Sequence, residues 1–428
     1  MRTLVRLKQL ALEVPCSMWR DGCCWNFSLR RLQSNMSMLK HLTSKITATG
    51  PISVAEYMRE ALTNPVSGYY VKNDMLGVDG DFITSPEISQ IFGELLGVWC
   101  VSEWMAAGKS SVLQLVELGP GRGSLTSDIL RVFSQLKAVL GKVDLSVHLV
   151  EISPKLSQVQ ADCLTTDQTQ AFDGDDVPVY RSGTTNTGLP VYWYRQIEDV
   201  PRGFSIFIAH EFIDALPIHK FQRTEKGWRE VLVDIDSEQP DKLRFVLSRG
   251  PTLASSTLIQ EGEKRHHVEV CPEGGVIVQK LSNRIAEDGG AALIADYGHD
   301  GTKTDTFRGF KGHQLHNVLE APGTADLTAD VDFSYLRKMT EDHVTCLGPI
   351  TQQSFLKNMG IDTRLQILLR SCPDSSSRAQ LMHGYDILMN PEKMGHRFHF
   401  FSVLSRSRLA AIKATLLPVA GFTELRLH

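Results

Sequence analysis

Val116-Glu-Leu-Gly-Pro-Gly-Arg-Gly-Ser124 decides how this chain is read. Before it, Ser111-Val-Leu-Gln-Leu115 is an apolar run of strand type, and after it Leu125-Thr-Ser-Asp-Ile-Leu-Arg-Val-Phe133 has the period of a helix. A strand, a glycine loop and a helix in that order make a nucleotide site. Gly119, Gly121 and Gly123 let the backbone approach a ligand where a Cβ would clash.

The ligand class follows from what surrounds those glycines. A dinucleotide fingerprint needs its third glycine at position 124, where the helix N-terminus meets a pyrophosphate, and this chain has Ser124 there. The pattern Glu-x-Gly-x-Gly-x-Gly instead suits S-adenosyl-L-methionine, which has no phosphate and carries a sulfonium and an amino group, both positive. Glu117 stands beside the loop to meet that charge. A second acid supports the reading: Ser146-Val-His-Leu-Val-Glu-Ile152 reads as the next strand, with Glu151 at its end. In a doubly wound sheet that position faces the cofactor ribose, where a carboxylate accepts from both hydroxyls. An ordinary turn and a solvated strand end are the plainer alternative.

Composition sets the outer bounds. The chain has 428 residues, 42% hydrophobic and 22% charged, enough for one large or two medium globular domains. No apolar run approaches the length that spans a bilayer. Cys16, Cys23 and Cys24 lie near the start; Cys100, Cys163, Cys271, Cys346 and Cys372 are scattered, with no C-x-x-C pair, so neither a zinc site nor a disulfide framework is indicated. Residues 1–45 hold eight basic and two acidic residues, which leaves 37 basic and 47 acidic beyond them. Leu4, Leu7, Leu10 and Ala11 share a helical face there. Acid-poor, Arg-rich and amphipathic is the composition of a mitochondrial transit peptide, with cleavage expected between about residues 30 and 47. A basic nucleic-acid-binding tail is the alternative, and the acidic body offers it no basic face to extend.

The expected organisation runs as follows. A transit peptide covers 1–45 and an N-terminal helical cap 46–110, including a helix over 52–62 with Ser53 as cap and an apolar helix over 88–106. A cofactor-binding core covers 111–221, with strands at 112–118, 147–152, 191–194 and 205–209 and helices at 125–140 and 155–164. Such alternation makes a parallel sheet covered on both faces. Residues 165–188 read as a surface loop. An inserted region covers 222–290, with a hairpin from 228–235 and 242–247 and a helix over 277–286. The rest of the core covers 291–405, with strands at 291–297 and 397–404 and a polar functional loop over 309–332. Residues 406–428 are a tail.

The chemistry is expected at the carboxyl ends of the strands. Strand 205–209 runs into His210-Glu-Phe-Ile-Asp-Ala-Leu-Pro217, which places His210, Glu211 and Asp214 at the strand end. If a guanidinium is the nucleophile, carboxylates hold its planar fork and aim it at the methyl donor. Glu211 is the first candidate, Asp214 the second, and His210 can relay the proton. The same spacing suits acids that complement a helix N-terminus and a structural histidine. Asp296 and His299 end another strand. Trp193 and Tyr194 suit either an adenine contact or the core. His313 and His316 have H-x-x-H spacing with no third ligand in view, so no metal is expected.

These stretches also carry a resemblance. Gly80-Asp-Phe-Ile-Thr-Ser-Pro-Glu-Ile-Ser-Gln-Ile-Phe-Gly93, the 117–123 loop and Ala209-His-Glu-Phe-Ile-Asp-Ala-Leu-Pro217 belong to it. So do Ala295-Asp-Tyr-Gly-His-Asp-Gly301, Ala321-Pro-Gly-Thr-Ala-Asp-Leu-Thr-Ala-Asp-Val-Asp-Phe333 and Met394-Gly-His-Arg-Phe398. Over residues 48–405 the chain resembles the MidA-related methyltransferases, and most closely their mitochondrial arginine-methylating branch. The resemblance implies a class I methyltransferase fold, α/β with a mostly parallel seven-stranded sheet, a helical cap and inserted segments. It also implies S-adenosyl-L-methionine as cofactor and symmetric ω-N dimethylation of arginine. The substrate it implies is the 49 kDa-type core subunit of respiratory complex I, modified in the mitochondrial matrix during assembly. An S-adenosyl-L-methionine-binding assembly chaperone and a small-molecule methyltransferase are the competing readings.

Overall fold

The structure, a computed structural model, describes residues 37–72, 84–166, 169–172, 174, 177–340, 344–408 and 419–422. Most of the expected transit peptide, residues 80–83 of the first resembling stretch and residues 409–418 and 423–428 of the 406–428 tail lie outside the described residues.

Among the described residues, ten strands form one large sheet. They are β1 (Val112–Leu118), β2 (Asp144–Val150), β3 (Gln170–Ala171), β4 (Val179–Thr184), β5 (Pro190–Tyr194), β6 (Ser205–His210), β7 (Gly290–His299), β8 (Val331–Asp332), β9 (Val344–Thr351) and β10 (Phe398–Ser405). The order is β9-β10-β7-β6-β1-β2-β5-β4-β3, with β8 paired to the end of β7. From β7 to β5 every neighbour is parallel; β10 and β9 close one side antiparallel, and β4 and β3 the other. The seven strands β9 to β5 in this order are those of a class I methyltransferase sheet.

Alternation along the strands explains why both faces are covered. Leu113 and Leu115 of β1, Ile206 and Ile208 of β6, and Leu293 of β7 join one core with the helices Gln90–Ala106 and Ser124–Gln135. Val116 and Leu118, Phe207 and Ala209, and Ile294 join a second core with the helix Pro272–Asp288. A strand buried on both faces shows no polar alternation, as parallel sheets require. Strand order reverses at β1: β2 and β5 lie to one side, β6 and β7 to the other. Their carboxyl ends open a crevice there.

A second layer frames that crevice. A five-stranded sheet has the order Ile52–Ser53, Gly227–Ile235, His219–Thr224, His267–Val270, with Leu243–Leu247 on the free side of Gly227–Ile235. Its Val231, Val233 and Leu243 share a core with Met38, Leu42 and Ile46 of the helix Met38–Thr49, and with Leu327 and Ala329. The helix Val54–Thr63 joins them, capped by Ser53 Oγ accepting from Glu56 N at 3.1 Å.

Several expectations need revision. The 228–247 hairpin is part of a larger sheet, because His219–Thr224 and His267–Val270 pair with it from flanking segments. The 165–188 loop contains all of β3 and β4; these short strands, one exposed and one half-buried, lack an apolar stripe. The 309–332 loop holds a three-stranded sheet of Arg308–Lys311, Gln314–His316 and Asp326–Thr328. The helix expected over 277–286 starts five residues earlier, at Pro272. Gly274 and Gly275 hid its first turn, and a Cβ at Gly275 would meet Tyr335 Oη at 2.8 Å. The expected transit-peptide boundary at residue 45 falls inside the helix Met38–Thr49, whose buried side chains belong to the folded body.

Candidate active site

The glycine loop leaves β1 and enters the helix Ser124–Gln135. Gly119, Gly121 and Gly123 all have positive φ, 64°, 53° and 85°. At Gly119 a Cβ would lie 2.6 Å from the Phe212 ring, and at Gly123 3.3 Å from Leu164. The loop is thus a cradle that side chains would fill, and its backbone is left open to a ligand. Glu117, just before it, is buried and accepts from Thr126 Oγ1. Burial pushes its carboxyl up to about 7, against the pull of that hydrogen bond.

Glu151 follows β2 directly. Its Oε1 accepts from Ser153 N at 2.7 Å and its Oε2 from Gln160 Nε2 at 3.0 Å. Burial pushes this carboxyl to about 7 as well. Gln160 was missed in the sequence reading. It also donates to Gly121 O at 2.8 Å and accepts from Trp193 Nε1 at 2.9 Å, so one amide ties the glycine loop to Glu151. Trp193 and Tyr194 are core residues: Tyr194 Oη bonds His148 Nδ1 at 2.9 Å, and neither lines the crevice.

The carboxylates after β6 face the same space. Glu211 has φ 49°, a left-handed conformation that a non-glycine residue adopts at a cost. Its backbone N donates to Ala295 O at 3.0 Å, and Oε1 accepts from Ser85 N at 3.3 Å. Asp296, in the carboxyl half of β7, explains the turn that follows β6. Its Oδ2 accepts from the backbone N–H groups of Phe212, Ile213 and Asp214 at 3.2, 2.9 and 3.3 Å. The segment carrying Glu211 and Asp214 is wrapped around one buried carboxylate. Burial and then the charge of Asp214 hold Glu211 well above the usual carboxylate range. Burial and then Asp296 do the same for Asp214.

His210 does not suit a proton relay. Its Nε2 lies 3.2 Å from Glu211 Oε1 without an aligned hydrogen bond. The ring packs between Phe92 and Phe398, and burial lowers its pKa to about 3. A base that weak stays neutral across the physiological range.

These groups share one cavity of about 960 Å³. Its lining includes Glu117, the glycine loop and Glu151 from the ends of β1 and β2, Glu211 and Asp214 from the turn after β6, and Lys303, Arg308, Asp326 and Asp330 from the segment after β7. Asp330 accepts from Lys303 Nζ and Arg308 Nη1, each at 2.6 Å, and Arg308 lies over Tyr297, 5.5 Å from the ring centroid. His313 lines the cavity, whereas His316 Nε2 sits 3.0 Å from Glu320 O. Asp296 has turned from a possible strand-end acid into the support of the turn. His299 Nδ1 accepts from Thr302 N at 3.1 Å, away from the cavity lining.

Comparison with known proteins agrees with this geometry. Residues 95–350 match the family model described as S-adenosyl-L-methionine-dependent methyltransferase. The chain is 75% identical, over the whole of both chains, to the Danio rerio protein named Protein arginine methyltransferase NDUFAF7, mitochondrial. It is 62% identical to the Homo sapiens protein of that name, covering 91% of this chain and 90% of that one. A Burkholderia thailandensis crystal structure bound to S-adenosyl-homocysteine has a TM-score of 0.69 at 22% identity, covering 88% of this chain and 93% of that one.

Proposed function

The chain belongs to the family of S-adenosyl-L-methionine-dependent methyltransferases, and from that premise we propose that it methylates an arginine of a mitochondrial protein. The observation that carries this reading is the pair of carboxylates, half-buried Glu211 and buried Asp214, that line the same cavity as the glycine loop. A guanidinium is the cation whose planar fork such a pair fits. The printed names of the relatives, protein arginine methyltransferase and mitochondrial, support it.

S-adenosyl-L-methionine supplies a methyl group on a positively charged sulfur. The glycine cradle, Glu117 and Glu151 are the residues that would hold it. Glu117 meets positive charge, and Glu151, steadied by Ser153 and Gln160, meets the ribose. Glu211 holds one edge of the substrate guanidinium and turns a nitrogen toward the loop. Each transfer leaves that nitrogen with a surplus proton. The Glu211 and Asp214 carboxyls, whose basicity burial has raised, are fit to accept it, and His210 is not. The guanidinium stays charged throughout the working range, so any pH dependence of the rate reports these protein groups.

The finer reading follows the resemblance: two methyl groups placed symmetrically, on the 49 kDa-type core subunit of complex I, in the mitochondrial matrix, after removal of a leader. The test incubates the protein with methyl-labelled S-adenosyl-L-methionine and mitochondrial extract from cells that lack it. Label on one arginine of a complex I subunit, absent with Glu211→Gln, is the expected result. Cofactor binding without protein label would favour the chaperone reading, and label on small molecules alone the small-molecule enzyme.

A further inference from the structure

Asp296 supports Glu211 from outside the cavity. It is fully buried, and among the described residues the cavity lining includes Glu211, Phe212, Asp214 and Tyr297 but not Asp296. Its Oδ2 accepts from the three successive backbone N–H groups of Phe212, Ile213 and Asp214, and its Oδ1 accepts from Tyr297 N at 2.9 Å. Successive N–H groups that converge in this way make an anion-binding concavity. Here the anion belongs to the chain itself.

The same strand, β7, grips the other side of Glu211, whose N donates to Ala295 O. Glu211 is thus held through its own N–H and through the three that follow it. It is also the residue with φ 49°. A left-handed conformation at a non-glycine residue persists only where its surroundings over-determine it. The choice of acceptor is informative too. Asp296 adds a third buried acid beside Glu211 and Asp214, and burial and then Glu211 raise its own pKa to about 7. A neutral acceptor would satisfy the same N–H groups without that repulsion. The charge strengthens each bond, so what this placement supplies is rigidity of the turn.

We propose that Asp296 is a positioning residue for methyl transfer, clamping the 212–214 backbone so that Glu211 keeps the left-handed turn that aims its carboxylate into the cavity. The inference rests on the role proposed for Glu211. Asp296 touches neither cofactor nor substrate in this arrangement and acts only through the turn. A misplacement of about 1 Å at a reacting group costs on the order of 100-fold in rate. Loosening the clamp therefore slows transfer without emptying the cofactor site.

The experiment measures transfer from methyl-labelled S-adenosyl-L-methionine to unmodified mitochondrial protein by the full chain. It compares wild type, Asp296→Asn, Glu211→Gln and the double variant, with S-adenosyl-L-methionine binding measured in parallel. Asp296→Asn keeps the size of the side chain and removes its charge. Its maximal rate should fall by roughly tenfold or more, with cofactor affinity unchanged. The double variant should lose far less than the product of the two single losses, because a clamp has nothing to aim once Glu211 is replaced. A residue that merely stabilised the fold would give independent losses and the full product.

A wild-type rate in Asp296→Asn overturns the proposal. So does the full product in the double variant, and so does a parallel loss of cofactor affinity. If Asp296→Asn does not fold, hydrogen exchange of the wild-type Phe212, Ile213 and Asp214 amides decides: slow exchange supports the clamp and unprotected exchange overturns it. The role of Glu211 fails separately, if Glu211→Gln transfers label at the wild-type rate. That result comes from a variant with Asp296 intact, and it overturns both.

Discussion

The two sets of residues proposed for the site are built in opposite ways. Those proposed to hold the cofactor come from neighbouring sequence: β1, its glycine loop and β2 supply Glu117, Gly119, Gly121, Gly123 and Glu151 within 35 residues. Those proposed to face the substrate, Glu211 and Asp214, are set among Asp296, Arg308 and Asp330, spread over 120 residues. The first depends on backbone shape, the second on distant side chains held by buried bonds. Damage to the first should abolish cofactor binding. Damage to the second should spare it.

The largest effect expected is on the cofactor set. Gly119→Val forces a β-branched residue to φ 64° and drives its Cβ into Phe212. Strain of that kind costs roughly 1–3 kcal/mol, before any steric block of the ligand. Cofactor binding measured by calorimetry should vanish while the circular dichroism of the fold persists. Retained binding would mean that the loop is not the cradle.

Glu211→Gln comes next and acts on the other set. Transfer should fall by at least about 100-fold, the scale of a lost acid–base group. Affinity for S-adenosyl-L-methionine should hold. A parallel loss of both would erase the distinction between the two sets.

Trimming the chain tests what supports the substrate-facing set. A chain starting at residue 46 loses Met38 and Leu42, which are buried with Leu327 and Ala329 beside Asp326. Each such side chain contributes about 1.5–3 kcal/mol of burial. The melting temperature should drop relative to a chain starting at residue 37, and substrate half-saturation should suffer more than cofactor affinity. Equal behaviour would show that the helix Met38–Thr49 is dispensable.

The smallest effects are in pH dependence, and they differ in sign between processes. Glu117 has its pKa raised from 4.5 to about 7, so it contributes stability fully present below the unfolded value and lost as pH rises through 7. In paired melts without ligand, wild type should therefore lose stability relative to Glu117→Gln between pH 4.5 and 7, and stay level above that. Glu211 and Asp214 are raised too, but the substrate cation favours their charged forms. Substrate binding should release protons and tighten as pH rises. Calorimetry in two buffers of different ionisation enthalpy measures that release, and proton uptake instead would contradict the clamp.

The glycine loop between β1 and its helix was legible because it is a local pattern. Each glycine there answers a backbone angle within its own turn. Glu211 and Asp214 were legible as strand-end acids. Asp296, read as another, turned out to carry three N–H groups of the turn next to it. Gln160 had no local signal, since it acts through partners on the glycine loop and on a neighbouring strand. Asp326 lay in a polar stretch expected to be functional, but its short strand and burial could not be read from residues with no apolar period.

The sequence by itself determined the parallel core strands with their helices, the glycine loop after β1 and the acids at the strand ends, because these depend on short-range periodicity and on which residues tolerate a tight turn. Tertiary structure alone decided which carboxylates share a cavity and which cations are already paired. It also decided that burial makes His210 a weak base. Desolvation and charge pairing act through space, so they exist only once distant segments have packed together.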